Sequence, residues 1–176
     1  MREYIVIYNV NSRGKNLSKE YLTQLFEKNQ LKAKIFMTRN TSEVENIIEK
    51  YSNDKKYSYC AIGGDGTINS LIDVLLKLGL SKPIVGCLPS GSGSDFLRTF
   101  AIPQDIEKAI VHLKGDTTYL IDTAIVTSSN REKHFVNVLN FGFLADTVEM
   151  SEKLPKIFRR FRSVSYTHLR AHETSQ

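Results

Sequence analysis

The hydrophobic pattern switches repeatedly between a period of two or less and a period near 3.6. Glu3 to Val10 reads as a β-rich run, with Tyr4, Ile5, Val6, Ile7 and Tyr8 consecutive, closed by the polar turn Asn9-Val10-Asn11-Ser12-Arg13-Gly14. Apolar residues then return at helical spacing (Tyr21, Leu22, Leu25, Phe26) within Leu17 to Gln30, and Lys32 to Met37 is a second short strand. Ser42 and Glu45 form a capping box that opens a helix through Tyr51, and Tyr57 to Ile62 is the third strand. From Thr67 onward Ile68, Leu71, Ile72, Leu75 and Leu76 share one helical face up to a stop at Gly79, and Pro83 to Leu88 predicts a fourth strand. Such alternation implies βαβ units with right-handed crossovers, and hence an α/β fold with a parallel sheet covered on both faces, three layers in all. Past a Gly-Ser-rich loop at residues 90 to 94 the pattern predicts a short helix and a longer one from about Gln104 to Lys114. Strand-like runs follow at Tyr119 to Val126 and His134 to Val138, with Phe141 to Phe143 beyond.

Two glycine loops fall at strand-to-helix junctions. Gly63-Gly64-Asp65-Gly66-Thr67 lies where the N–H groups of a turn and of a helix N-terminus converge, an arrangement that attracts phosphate. The glycines would permit positive φ and close approach of a ligand to the backbone. Thr67 could cap the helix or bond a phosphate oxygen, and Asn69 lies in the first turn. Asp65 is the informative residue, because a carboxylate beside a polyphosphate is repulsive unless a cation such as magnesium lies between them. The second loop, Leu88-Pro89-Ser90-Gly91-Ser92-Gly93-Ser94-Asp95-Phe96, would emerge at the same sheet edge, where open α/β sheets bind ligands. There Ser92 could bond a phosphate, and Asp95 could cap the next helix or meet a hydroxyl or metal. Taken alone, either loop also reads as a tight turn or linker. Familiar nucleotide motifs fail on spacing: no Gly-x-x-x-x-Gly-Lys-[Ser/Thr] occurs, and neither Gly64-x-Gly66 nor Gly91-x-Gly93 has the third glycine of a Rossmann fingerprint.

Composition changes this picture little. A chain of 176 residues with 41% hydrophobic and 24% charged residues fits one ordinary globular domain. Met1 is followed by Arg2 and Glu3, which predicts no signal peptide, and no window approaches the length of a membrane-crossing helix. Cys60 and Cys87 sit in apolar runs without metal or redox spacing and read as buried reduced thiols. A net charge of +5 favours an anionic partner without choosing among nucleotide, nucleic acid and membrane. Scattered basic residues and the lack of a recognition motif argue against nucleic acid. The exception is Lys153 to Arg162, where Leu154, Ile157, Phe158 and Phe161 interleave with basic residues. That stretch either rests on an anionic membrane or docks on its own domain. His112 and His134 have no acidic or cysteine partner nearby in sequence and read as surface or packing residues, while Asp122 is a strand-end site residue or a turn former. Val164 to Thr174 looks like a translated sequencing-library adapter run onto a truncated gene, so residues 164–176 are set apart from residues 1–163.

The ordered set of the GGDGT loop, the Leu88 to Phe96 loop and Gly142-Phe143-Leu144-Ala145 resembles the diacylglycerol kinase catalytic domain, most of all the bacterial soluble lipid kinases. The resemblance runs over residues 3 to 163 and includes Asn9 to Lys15, Thr38, Asp122 and Asn137. It implies a nucleotide-binding domain of the NAD kinase and diacylglycerol kinase type, ATP and Mg2+ as cofactors, and transfer of the γ-phosphate to a lipid hydroxyl. Asn9, Thr38, Gly63, Gly64, Asp65, Gly66, Thr67, Asn69 and Ser92 match the family's nucleotide site, with Asp65 near magnesium through water. It further implies a second, mainly β domain carrying the catalytic acids and part of the lipid site, so that this chain alone is the ATP-binding half and is inactive. The whole protein would be cytoplasmic, peripheral at the inner membrane face where its lipid resides, and able to form a homodimer. Val10 in place of proline, Ser92 and Ser94 in place of threonine and asparagine, and Ser70 in place of glutamate depart from the family pattern. NAD kinases resemble the chain at Gly63 to Thr67 and are the enzymatic alternative, and a non-catalytic nucleotide-binding regulatory module is the alternative of another class.

Overall fold

The computed structural model describes residues 2–12, 15–90, 94–128 and 131–136. Four strands, β1 (Glu3–Asn9), β2 (Lys32–Thr38), β3 (Tyr57–Gly63) and β4 (Val85–Pro89), form one sheet in the order β2-β1-β3-β4 with every pair parallel. Helices α1 (Lys19–Lys28), α2 (Thr41–Tyr51) and α3 (Asp65–Lys77) connect them in turn. Two short helices follow, α4 (Asp95–Thr99) and α5 (Ile106–Ala109), the latter continued by a 3-10 turn over Ile110–Lys114. An antiparallel hairpin, β5 (Ala124–Ser128) and β6 (Arg131–Phe135), completes the described elements.

β1 is the pivot of the sheet, flanked by β2 and β3, and its residues Tyr4 to Tyr8 are each no more than 2% exposed. A parallel strand buried on both faces needs such a continuous apolar run, not an alternating one. Side chains on successive residues still point to opposite faces. Tyr4, Val6 and Tyr8 therefore meet Leu22, Leu25 and Phe26 of α1 with Ile106 and Ile110 of the α5 region, while Ile5 and Ile7 meet Val44 and Ile48 of α2 with Ile68, Leu71 and Leu75 of α3. Two cores with a sheet between them make the three layers that the sequence pattern predicts. Tyr4 and Tyr8 keep their hydroxyls satisfied by donating to the carbonyls of Leu113 and Lys15 at 2.8 and 2.9 Å. Cys60 and Cys87 are buried free thiols, and burial pushes the Cys87 thiol up to about 12.

Several boundaries differ from the sequence pattern for identifiable reasons. The cap of α2 is Asn40, not Ser42: Asn40 is extended and accepts the Glu43 amide, while the Glu43 carboxylate accepts the Arg39 amide at 2.9 Å. Only two residues separate β2 from α2, so the helix starts at its first opportunity. α3 likewise begins at Asp65, two residues before Thr67. The helix expected over Gln104 to Lys114 is a single α turn capped by Asp105 that tightens into 3-10 geometry before Gly115. Pairing of β5 with β6 opens at Ala124 and Phe135, which leaves Tyr119 and Leu120 outside any strand and 76% and 87% exposed. β6 covers Arg131–Phe135 in place of His134 to Val138, and residues 137 to 145 lie outside the described residues.

Leu75 is fully buried between α3 and the sheet. Replacing it with alanine is expected to cost about 2–5 kcal/mol of stability, measured as a lowered urea midpoint at unchanged slope.

Candidate active site

Parallel pairing brings the carboxyl ends of all four strands to one edge, and these ends are Asn9, Thr38, Gly63 and Pro89. The loops leaving that edge are stitched to each other. The Val10 amide donates to the Thr38 carbonyl at 2.9 Å, and the Asn11 amide nitrogen Nδ2 donates to the Arg39 carbonyl at 3.0 Å. Asn9 folds its own exit turn by accepting the Asn11 amide on Oδ1 and the Ser12 amide on its carbonyl. Ser12 and Ser90 share a hydroxyl hydrogen bond at 3.0 Å, joining the exit of β1 to that of β4. Thr38 is buried, and its hydroxyl donates to the Tyr8 carbonyl at 3.4 Å.

The glycine loop does different work at each glycine. A Cβ on Gly63 would overlap the whole Thr67 side chain, so this glycine is required by packing. Around Gly64 and Gly66 a Cβ would meet nothing within 4 Å, which is open space on the ligand side. Gly64 is extended, with φ −98° and ψ −172°, so the expectation of positive φ gives way to a need for room. Ser18 caps α1 and Asn40 caps α2, yet α3 has no side-chain cap. The Thr67 amide donates to the Gly64 carbonyl at 3.0 Å, so the Asp65 and Gly66 amides, without an acceptor among the described residues, are the ones a helix N-terminus would offer an anion. Thr67, buried as the third residue of α3, packs on Gly63 and does not cap.

Asp65 turns inward. Its carboxylate accepts the Ser94 hydroxyl and the backbone amides of Asp95 and Phe96, both at 3.1 Å, and so ties the start of α3 to the start of α4. Ser94 in turn accepts the Leu97 amide at 3.2 Å and is the cap of α4. Asp95, expected as a cap or a metal-side residue, instead pairs with Arg98 at 2.8 Å on the exposed side of α4. Asp122 is exposed ahead of β5 and does not line the cleft described next. Ser92 and Gly142 to Ala145 lie outside the described residues.

A cleft of about 500 Å³ opens at this edge, and Asn9, Thr38, Gly66, Thr67 and Asn69 all line it. It extends along α3 from Gly66 to Lys77 and is also bounded by Arg39, Ser70, Asp73 and Lys133. Of these, Arg39, Asp73, Lys77 and Lys133 escaped the sequence reading, while Ser70 appeared there only as a departure from the family pattern. Asp73 is 5% exposed, its Oδ1 accepts the His134 amide at 2.8 Å and faces His134 Nδ1 at 3.2 Å, and its Oδ2 pairs with Lys77 Nζ at 2.8 Å. His134, isolated in sequence, thus has an acidic partner in space, 61 residues away. A carboxylate at a buried position of an apolar helix was the available signal. Burial pushes the Asp73 carboxyl up, but the hydrogen bonds from Lys77 and from the amide and ring of His134 outweigh it and hold the group below its ordinary 3.8. Among the described residues no three His, Cys, Asp or Glu side chains are grouped as a protein-held metal requires.

With this geometry the relatives are informative. The diacylglycerol kinase catalytic domain family matches residues 3–126. The chain belongs to that family. It is 30% identical over 154 residues to a protein of Enterobacter sp. (strain 638) named probable lipid kinase YegS-like, covering 86% of this chain and 50% of that protein. To the diacylglycerol kinase of Bacillus subtilis (strain 168) it is 28% identical over 159 residues, covering 88% and 50%. The chain therefore spans about half the length of the curated relatives it matches. A solved diacylglycerol kinase from Bacillus anthracis str. Sterne superposes with a TM-score of 0.54 at 19% identity, over 69% of this chain and 42% of that one. That likeness establishes the fold, and the family is one of lipid kinases. No described helix is long and apolar enough to cross a membrane.

Two outcomes follow. Gly63→Ala is expected to destabilise by about 1–3 kcal/mol in urea unfolding, because the added Cβ would lie 2.5 Å from the Thr67 Cβ, an atom that no rotamer change can move. Asp73, more acidic folded than unfolded, contributes stability that is complete above about pH 3.9 and is lost as pH falls through its lower folded value. Asp73→Asn should accordingly flatten the acid limb of the stability profile, read as urea midpoints measured between about pH 5 and about pH 3.

Proposed function

We propose that this chain is the nucleotide-binding half of an ATP-dependent lipid kinase that moves the γ-phosphate of ATP to the hydroxyl of diacylglycerol or a related lipid. The observation that carries the reading is the N-terminus of α3, which has no side-chain cap and open space at Gly64 and Gly66, and whose Gly66 and Thr67 line a cleft with Asn9, Thr38 and Asn69. Backbone amides at a helix start match phosphate in charge and geometry and need no side chain to do so. Thr67 and Asn69 line the same space with polar groups, and Arg39 adds a cation at its rim.

Magnesium fits here through water. Asp65 spends three acceptor positions on Ser94, Asp95 and Phe96, and an ionised carboxylate offers about four, so room for a bridging water remains. When bound, the ion would neutralise charge building on the phosphates. What the chain's own residues do is position: the amides of α3 orient the phosphates, and the stitched exit loops hold the walls of the cleft still. On this reading the chain supplies the nucleotide side, and the further length present in the relatives supplies the lipid side and its catalytic acids. Partners would be ATP and a lipid at the inner membrane face, approached from the cytoplasm.

Calorimetric titration with ATP and magnesium tests the site. The 176-residue chain should bind ATP, and Gly64→Ala should weaken that binding about tenfold while leaving the unfolding midpoint within about 0.5 kcal/mol of the original. An unaltered chain that binds no ATP would overturn the proposal. The full-length protein should phosphorylate diacylglycerol in preference to NAD, and faster phosphorylation of NAD would move it to the NAD kinases.

A further inference from the structure

The outer edge of β6 is closed by a helix. The amides of His134 on β6 and of Val136, the residue just past its end, donate to Asp73 Oδ1 and Asn69 Oδ1, four residues apart on α3, at 2.8 and 3.1 Å. The spacings agree: four residues of helix rise about 6.0 Å and two residues of strand about 6.6 Å. One turn of α3 therefore acts as a surrogate strand with two side-chain acceptors in register. Between the two anchored residues and the hairpin turn stands Lys133, which lines the nucleotide cleft.

Charge along that wall is apportioned unevenly. Asp73 is matched by Lys77 at 2.8 Å, so the pair contributes no net field to the cleft. Among the described residues Lys133 has no acidic partner, and neither has Arg39. A cleft bounded at one end by uncapped amides and on its wall by an unpaired ammonium is matched to a polyanion. Moreover, among the described residues the hydrogen bonds from β6 and its following residue to α3 all end on those two side chains, with Val136 packed on the apolar face of α3 beside them, so the place of Lys133 depends on this contact.

We propose that Asn69 and Asp73 form a latch that fixes β6 on α3, and that the latch sets Lys133 as a phosphate-neutralising residue of the nucleotide site. Lys133 meets the ligand, and Asp73 is a positioning residue that acts through the His134 amide. This rests on the kinase reading above. It goes beyond it by assigning a contact from the hairpin, which lies outside the glycine loops.

ATP with magnesium, and adenosine as the uncharged probe, would be titrated into the full 176-residue chain and its variants. Lys133→Ala, at an exposed position, should weaken ATP about tenfold, leave adenosine unchanged and reduce the salt dependence of ATP binding. Asp73→Ala should weaken ATP to a similar degree, Asp73→Asn, which keeps an acceptor for the His134 amide, should restore most of it, and Lys133→Ala should add little in the Asp73→Ala background. Equal ATP affinity in Lys133→Ala and the unaltered chain overturns the proposal alone, as do strictly additive losses in the double variant. Failure of the unaltered chain to bind ATP overturns the kinase reading with it.

Discussion

A single carboxylate ties the glycine turn after β3 to the start of α4. Asp65 stands at the first position of α3 and collects the hydroxyl and two amides at the start of α4, so the turn after β3 is tied to the residues that open α4. Hydrogen bonds to a charged acceptor contribute about 1.5–3 kcal/mol each, and removing the acceptor would leave two amides without partners. The negative charge is also placed where it does least harm to an anion. It faces the start of α4, and Asp65 does not line the cleft, whereas Gly66 and Thr67 do. What looked like a conflict between a carboxylate and a phosphate is resolved by direction before any cation is considered.

Around that tie the cleft is assembled from strand ends whose positions are fixed by burial. β1 is enclosed on both faces, its neighbours are held by seven- and six-residue parallel registers, and the exit loops inherit that rigidity through Val10, Asn11 and Ser12. Gly63 and Thr67 form the one close contact at the turn itself, which sets how steeply α3 leaves the sheet. Packing thus governs one glycine of the loop, while the other two border open space.

Much of this was legible in the residues. Alternating periods of two and 3.6 revealed four strands and three helices in order, and the placing of glycine loops after β3 and β4 located the site edge. Asn9, Thr38, Gly66, Thr67 and Asn69, although scattered over the chain, line one cleft, while Gly63, Gly64 and Asp65 stand outside its lining. Sequence spacing could not show the orientation of Asp65, because its partners are 29 to 31 residues away and are mostly backbone amides, which carry no residue signature. The Asp73 and His134 pair was hidden for the same reason of distance. Asn40 displaced Ser42 as a cap because the length of the β2 to α2 connection decided the helix start, and a propensity argument does not contain that length. Ser94 was read as a departure from the family, yet its hydroxyl donates to Asp65 and accepts from Leu97 at once.

The two acceptors that α3 offers to β6 also bear on how the protein behaves at high concentration. An open strand edge is a template on which another chain can add itself, the usual route to intermolecular β-pairing and aggregation. Here the outward amides of His134 and Val136 are already taken by Asp73 and Asn69, so this side of the hairpin presents side chains where it would otherwise present a ladder of donors. A helix that lines the cleft thus serves at the same time as the guard of a sheet edge, through the same two residues.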